Sequence, residues 1–206
     1  MAWGHNSLGQ LGDGTGIHRL SPVQVGTATN WALVSAGGGH TVAVRTDGTL
    51  WAWGYNGHGQ LGDGTTTNRL SPVQIGTAAN WTSVSAGNFF TVAVRTDGTL
   101  WAWGRNEHGQ FGDGTTTTRL SPVRIGTAMN WAHVSAGLNH TVAVRTDGSL
   151  WVWGKTALAN WATALTLIGT YRCELVQMPT GRLSRLAVFI QLPSGQTGQC
   201  GYGGGM

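Results

Sequence analysis

The apolar residues of this chain fall in short runs broken by Gly, Asp, Asn and Pro, and no segment repeats them at a helical spacing. From Thr41 to Gly54 the chain reads T-V-A-V-R-T-D-G-T-L-W-A-W-G, two β-rich runs around Asp47-Gly48. An Asp-Gly pair at such a centre is a strong hairpin signal, because a type I′ turn needs positive φ at both of its middle positions. Counting outward from a two-residue turn puts Thr46 opposite Thr49, Arg45 opposite Leu50, Val44 opposite Trp51, Ala43 opposite Ala52 and Val42 opposite Trp53. Val and Trp then share one face, and Ala, Leu and the Arg stem share the other. Both faces are mostly apolar, so the sheet must be covered on both sides. Two more short strands precede the hairpin, Pro22 to Gly26 and Trp31 to Gly37. The pattern therefore predicts four strands per unit and no helix.

The unit repeats with a period of 50 residues: Trp51 to Leu100 recurs as Trp101 to Leu150, and residues 2–50 are a further copy. G-Q-[LF]-G-D-G-T starts at Gly9, Gly59 and Gly109, R-L-S-P-V at Arg19, Arg69 and Arg119, and T-V-A-V-R-T-D-G at Thr41, Thr91 and Thr141. Small antiparallel sheets recurring at this period, each needing cover on both faces, read as propeller blades. A β-solenoid fits less well, because its coils are usually shorter. The expected fold is an all-β propeller of four-stranded antiparallel blades, incomplete, with three full blades at about 22–54, 72–104 and 122–154 and the Gly-rich segment as the linker between them. The repeat region spans 1–155.

Residues 156–206 form a degenerate tail. Trp151 and Trp161 are 10 residues apart where Trp51 and Trp81 are 30 apart, so linker and first strand are shortened there. Runs at Trp161 to Ile168, Arg172 to Met178 and Leu183 to Leu192 are candidate strands, and Gly201 to Met206 is read as disordered. Ala2-Trp3-Gly4 reads as the last strand of a blade. A fragment of a longer array is the favoured reading; closure of a small ring by the tail runs with residues 2–4, and pairing of two copies to complete a ring, are the alternatives.

Composition adds limits. Of 206 residues, 34 are Gly, 11 are Trp and 20 are charged, 12 Lys plus Arg against 8 Asp plus Glu for a net charge of +4. The cations are scattered, which argues against a nucleic-acid partner. No apolar run reaches the roughly 18 residues of a membrane span, and the first residues have no signal-peptide character, leaving a cytoplasmic location as the default. Cys173 and Cys200 are read as free thiols, with a disulfide as the alternative.

The ordered combination W-x-W-G-x-N-x-x-G-Q-L-G-D-G, P-V-x-I-G and V-S-A-G-x-x-H-T-V-A-V-R-T-D-G resembles the regulator of chromosome condensation repeat, over residues 2 to about 155. The resemblance implies a propeller used as an interaction platform. The family includes a nucleotide exchange factor for a small GTPase and a secreted β-lactamase inhibitor. Exchange factor and secreted binding or inhibitor protein are therefore the alternatives to a scaffold. The exchange wedge of the family is an extra loop in one blade, and these copies are of equal length.

Catalytic chemistry finds little material. Gly57, Gly59 and Gly62 match a dinucleotide fingerprint in letters, but no helix follows to receive a pyrophosphate. Each G-D-G loop supplies one carboxylate (Asp13, Asp63 or Asp113), too few for calcium, so turn capping is expected. His40 and His140 are exchanged for Phe90 in the middle copy, which suits packing at a blade junction rather than catalysis. The recurring Arg and Asp residues are expected to form local or interblade ion pairs. No cofactor, metal or catalytic set is assigned. Function is sought where the copies differ, and Tyr55, His58, Asn88, Phe89, Arg105, His108 and Asn139 are the candidate protein-contact rim.

Overall fold

The computed structural model describes residues 1–155 and three further short strands. β1 (Ala2–Gly4) and β2 (Arg19–Val23) form a two-stranded sheet. The first four-stranded sheet runs β3 (Trp31–Ala36), β4 (His40–Arg45), β5 (Leu50–Gly54) and β6 (Arg69–Gln74), all antiparallel. The second repeats it as β7 (Trp81–Ala86), β8 (Phe90–Arg95), β9 (Leu100–Gly104) and β10 (Arg119–Ile125). The third has, among the described residues, three strands, β11 (Trp131–Ala136), β12 (His140–Arg145) and β13 (Leu150–Gly154). β14 (Arg172–Leu175), β15 (Val188–Gln191) and β16 (Thr197–Cys200) pair in that order as a sheet of their own. Two of the three tail runs thus carry strands, while the run at 161–168 and the end at 201–206 lie outside the described residues. Among the described residues there is no helix.

The blade boundaries differ from the expected 22–54, 72–104 and 122–154. The R-L-S-P-V strand closes the sheet before it: β6 pairs with β5, and β2 pairs with β1. The G-Q-L-G-D-G-T segment is consequently the connection between the third and fourth strands of one sheet, and the short stretch at 75–80 is what passes to the next. Proline explains part of this arrangement. Pro72 has no N–H to give, so its strand sits at the sheet's outer edge, with a register irregularity between Ala52 and Gly54.

The hairpin register is also corrected. Val44 faces Leu50, Ala43 faces Trp51, Val42 faces Ala52 and Thr41 faces Trp53. Gly48 alone takes positive φ, at 77°, and no residue other than glycine does so among the described residues. Gly48 N donates to Arg45 O (2.9 Å) and Arg45 N to Thr49 O (3.0 Å). This is a three-residue loop, a type I turn closed by a glycine bulge, rather than a two-residue I′ turn. Asp47 avoids positive φ because its carboxylate accepts from Thr49 N (3.0 Å) and Thr49 Oγ1 (2.6 Å) in the turn conformation instead. The extra loop residue slips the pairing by one, so the faces redistribute: Trp51 and Trp53 lie with Thr41, Ala43 and Arg45, and Val42 and Val44 lie with Leu50 and Ala52.

That redistribution makes the junctions. Val42, Val44, Leu50 and Ala52 of the first sheet, with Ile75 just past its last strand, bury themselves against Trp81, Ala86, Ala93 and Trp103 of the second. Val92, Val94, Leu100 and Ala102 do the same against Trp131 and Ala143 of the third. Each fully buried large side chain contributes about 1.5–3 kcal/mol, whereas a lone hairpin is marginal in water, so stacking holds the sheets.

Arg45 does not pair with Asp47, as the repeated Arg and Asp suggested. With Arg45 opposite Trp31, its guanidinium carbon lies 3.7 Å from the Trp51 ring and 4.7 Å from the Trp31 ring. Arg95 and Arg145 repeat the contact at 3.8 and 4.0 Å over Trp101 and Trp151. These arginines are held by cation–π attraction and by packing of their stems.

The hairpin glycines allow a graded test. A Cβ at Gly98 would collide with the Met129 carbonyl, while one at Gly148 meets nothing within 4 Å among the described residues, and both residues have positive φ. Gly148→Ala is expected to cost about 1–2 kcal/mol from backbone strain alone. Gly98→Ala should cost at least about 1 kcal/mol more, because the next sheet's connection must shift. Urea unfolding midpoints of the two variants check this order.

Candidate functional site

The β3–β4 turn and the β5–β6 connection emerge at one end of each sheet. Past Gly54 the ladder continues for one bond, Tyr55 N to Gly39 O at 2.8 Å, repeated as Arg105 N to Phe89 O at 2.9 Å and Lys155 N to Asn139 O at 2.8 Å. Positions 39, 89 and 139 are thereby set beside 55, 105 and 155, and these are places where the copies differ.

A buried amide holds the connection rigid. Asn56 Oδ1 accepts from Leu61 N (3.0 Å), and its Nδ2 donates to Asp63 Oδ1 (3.0 Å) and Thr65 O (3.0 Å). Asp63 Oδ1 accepts from Thr65 N and Oγ1 (3.0 and 2.7 Å), and Oδ2 from Arg69 Nε (2.8 Å). Asn6, Asp13, Thr15 and Arg19 repeat this set. Asn106, Asp113 and Thr115 keep it without the arginine bonds seen in the other two. Burial pushes the Asp13 carboxyl up, but hydrogen bonds from Thr15, Arg19 and Asn6 outweigh it and hold its pKa at about 2. The carboxylates therefore cap the turn, as expected of them, with their oxygens taken up by Thr, Arg and Asn.

On this frame the variable side chains gather across a junction. Tyr55 and Phe89 have ring centroids 5.9 Å apart, His58 and Phe89 5.1 Å, and Tyr55 and His58 6.2 Å. Tyr55 and His58 come from the first repeat's connection and Phe89 from the second repeat's turn. Gly57 makes room: a Cβ there would strike the Tyr55 hydroxyl, and the sister copies that carry Ser7 and Glu107 have His5 and Arg105 in place of the tyrosine. The Arg105 guanidinium lies 5.9 Å from the Phe89 ring and is paired with Glu107. That hydrogen bond raises the Arg105 pKa and lowers that of Glu107.

Of the seven expected rim residues, the structure brings Tyr55, His58, Phe89 and Arg105 together. Asn88 is a junction residue, its N donating to Gly137 O at 3.3 Å and its side chain lying over Gly38. His108 and Asn139 stand at the equivalent place in the next repeat, outside the aromatic cluster. Glu107, which neutralises the arginine, was legible only as a position that varies between copies. In the first repeat His5 stacks on His18 at 4.5 Å and bonds Gln10 at 2.8 Å.

The regulator of chromosome condensation (RCC1) repeat model matches residues 2–44, 47–94 and 97–144, more than half of the chain. This chain belongs to that family. A second RCC1 repeat model matches residues 31–60 and 81–110. No match was found among curated protein sequences. Solved structures with the same fold include human WBSCR16 (22% identity, TM-score 0.65, 74% of this chain and 41% of that one). Yeast RCC1 (Prp20) bound to Kap60 is similar at 24% identity and TM-score 0.64, over 74% of this chain and 38% of that one. Prp20p from Saccharomyces cerevisiae, described with its binding properties to Gsp1p and histones, aligns over 96% of this chain and 52% of its own at 17% identity and TM-score 0.57. The RCC1-repeat chain thus spans between about two fifths and half the length of these proteins, and at such identities the likeness shows the fold.

One RCC1-repeat junction position holds a buried histidine. His40 is fully buried, and its Nε2 lies 3.0 Å from Thr91 Oγ1 of the next sheet. Thr91 gives its own proton to Gln60 O (2.8 Å), so Nε2 must be the donor and Nδ1 is left unprotonated, with no hydrogen-bond partner. The junction role expected of His40 is what the structure gives it. Burial lowers its pKa to about 3 and lowers that of His140 as well. A buried neutral His contributes stability that is complete above its unfolded value of about 6.5 and declines below it, by about 1.4 kcal/mol per pH unit until the folded value is reached. Unfolding free energy should therefore fall from pH 6.5 downward, starting before the carboxylates titrate. His40→Phe, copying Phe90, should flatten most of that slope in urea titrations run at each pH.

Proposed function

We propose that this chain is a non-catalytic protein-interaction scaffold whose partner sits on the Tyr55, His58, Phe89 and Arg105 cluster. The observation that carries the reading is the convergence of the three rings within 5.1–6.2 Å at positions where an otherwise near-identical repeat varies. Half-buried aromatics on a rigid frame, with an arginine at their border, are the side chains that dominate protein–protein contacts, because they bury large area at small entropic cost. Arg105 is already neutralised by Glu107, which favours a partner that meets the rings with apolar or aromatic groups over one that is merely acidic. The carboxylates of the connections are engaged in turn capping, which leaves little for acid–base work.

The chain supplies its own control substitution. Phe89→Asn copies Asn139 and should leave the fold intact while weakening partner retention by roughly 30-fold or more, the scale of losing one aromatic anchor. A photo-crosslinking residue at position 58 would identify the partner, and Phe89→Asn should abolish that crosslink. Unchanged retention by the variant would refute the rim assignment. Nucleotide exchange is the competing activity, since Prp20p is described with Gsp1p. Stimulated release of labelled GDP from a panel of small GTPases would replace the scaffold reading with that one.

A further inference from the structure

We infer that Asn56 is a site of covalent modification: its side-chain amide is hydrolysed to a carboxylate, a reaction that the folded connection holds back and whose product keeps that connection from closing again at neutral pH. Asn56-Gly57 is the single Asn-Gly pair in the chain. Asn6 precedes Ser7, Asn106 precedes Glu107, and the other asparagines precede Trp, Arg, Phe or His. The pairing matters because the amide is lost through attack by the backbone nitrogen of the following residue, and a side chain on that residue hinders the approach. The backbone itself does not ask for glycine at 57, since Gly57 does not take positive φ and Ser and Glu occupy the same place in the sister copies. Tyr55 asks for it, because a Cβ at 57 would strike the tyrosine hydroxyl and ring. The aromatic cluster thus comes with a chemically fragile neighbour that the other two repeats do not share.

In the reaction the Gly57 nitrogen, after giving its proton to hydroxide, bonds to Asn56 Cγ. Nδ2 takes up a proton and departs as ammonia, leaving a five-membered imide between the two residues. Water then adds to one imide carbonyl and reopens the ring, giving an aspartate, or an isoaspartate whose chain runs through the side-chain carbonyl carbon. The net change is one water in and one ammonia out. In the folded protein the leaving group is tied down. Nδ2 donates to Asp63 Oδ1 and Thr65 O, both at 3.0 Å, Oδ1 accepts from Leu61 N at 3.0 Å, and the residue is fully buried. Gly57 is exposed, so protection rests on the bonds of the amide and not on shielding of the attacking nitrogen. Ammonia leaves only after those bonds break, and the rate therefore scales with the fraction of molecules in which the connection is open.

The product does not fit the place it came from. An ionised carboxylate has no proton to give, so at position 56 it sets an oxygen against Asp63 Oδ1 and Thr65 O. The charged groups around it are Asp63 and the Arg69 that holds the other oxygen of Asp63, so one arginine faces two carboxylates. Like charges at hydrogen-bond distance are relieved when one of the pair keeps a proton. A protonated carboxyl at 56 donates as the amide did, which makes the lesion mild in acid and severe at neutral pH. Asp63 raises the proton affinity of the new carboxyl in the fold, so the loss of stability is absent below the ordinary carboxylate value of about 4 and grows as the pH rises above it. The inference concerns the frame beneath the aromatic cluster and does not rest on a partner being bound there.

Peptide mass mapping of the full chain, aged at mildly alkaline pH in buffer and in urea, tests the assignment. In urea a gain of about one dalton should fall at Asn56 several-fold or more faster than at Asn6 or Asn106, and in buffer Asn56 should react slower than in urea by roughly 10-fold or more. Tyr55→His with Gly57→Ser, copying the first repeat, should keep the fold and slow the modification in urea. Asn56→Asp should lower the urea midpoint at neutral pH, with the gap to the parent chain narrowing below about pH 5. A variant that is unfolded at neutral pH and regains its circular dichroism on acidification reads the same way. Equal rates in buffer and in urea would overturn the proposal, as would Asn6 or Asn106 reacting as fast as Asn56 in urea. So would an Asn56→Asp chain as stable as the parent at neutral pH, or one whose deficit acid does not reduce.

Discussion

Thr91 Oγ1 and the Trp103 indole both donate to the Gln60 carbonyl, at 2.8 and 2.9 Å, and through that oxygen a connection belonging to the first sheet is tied to two strands of the second. A buried carbonyl has two lone pairs, and here both are used. Gln10 and Gln110 hold Thr41 with Trp53 and Thr141 with Trp153 in the same way. Strand pairing sets distances within a sheet but says nothing about the angle to its neighbour. The doubly occupied carbonyl supplies that angle, because an indole and a hydroxyl from adjacent strands must reach one point. The rest of the connection is then built to keep the point still: the buried Asn56, the capped Asp63 and the Arg69 that clamps it.

Much of this was legible in the sequence. Strand content, period, antiparallel sheets and the capping role of the G-D-G aspartate followed from turn chemistry and from apolar character on both faces. What did not follow was any feature that depends on one residue of offset. Asp47-Gly48 suits a two-residue turn and a three-residue loop equally by composition, and only the Asp47 to Thr49 bonds, which keep φ negative at Asp47, select the second. The blade boundaries failed for a related reason. R-L-S-P-V lies close in sequence to the strand that follows it, yet pairs with the one before it, because the long connection is a folded, hydrogen-bonded unit rather than a spacer. Arg45 was misjudged with the register: once it faces Trp31 it has two rings within reach, and Asp47 is spent on its own turn.

The candidate rim was half legible. Comparing copies identifies the positions that differ, but it cannot say which meet, because Phe89 reaches Tyr55 and His58 across a junction rather than along the chain. The structure sorts the seven positions by that criterion. It also shows why Asn88, equally variable, belongs to the architecture instead: its amide is committed to Gly137.

The aromatic cluster has an ownership that the rest of the array lacks. The buried amide, the capped carboxylate and the doubly bonded carbonyl recur in every copy, so an exchange of one sheet and its connection for another, such as residues 31–80 for 81–130, would leave the scaffold intact. Tyr55, Gly57 and His58 would travel together in such an exchange, but Phe89 would stay behind in the neighbouring unit. The binding surface is thus written in the order of the units, not in any one of them, and reshuffling the repeats would preserve a folded protein while erasing what it recognises.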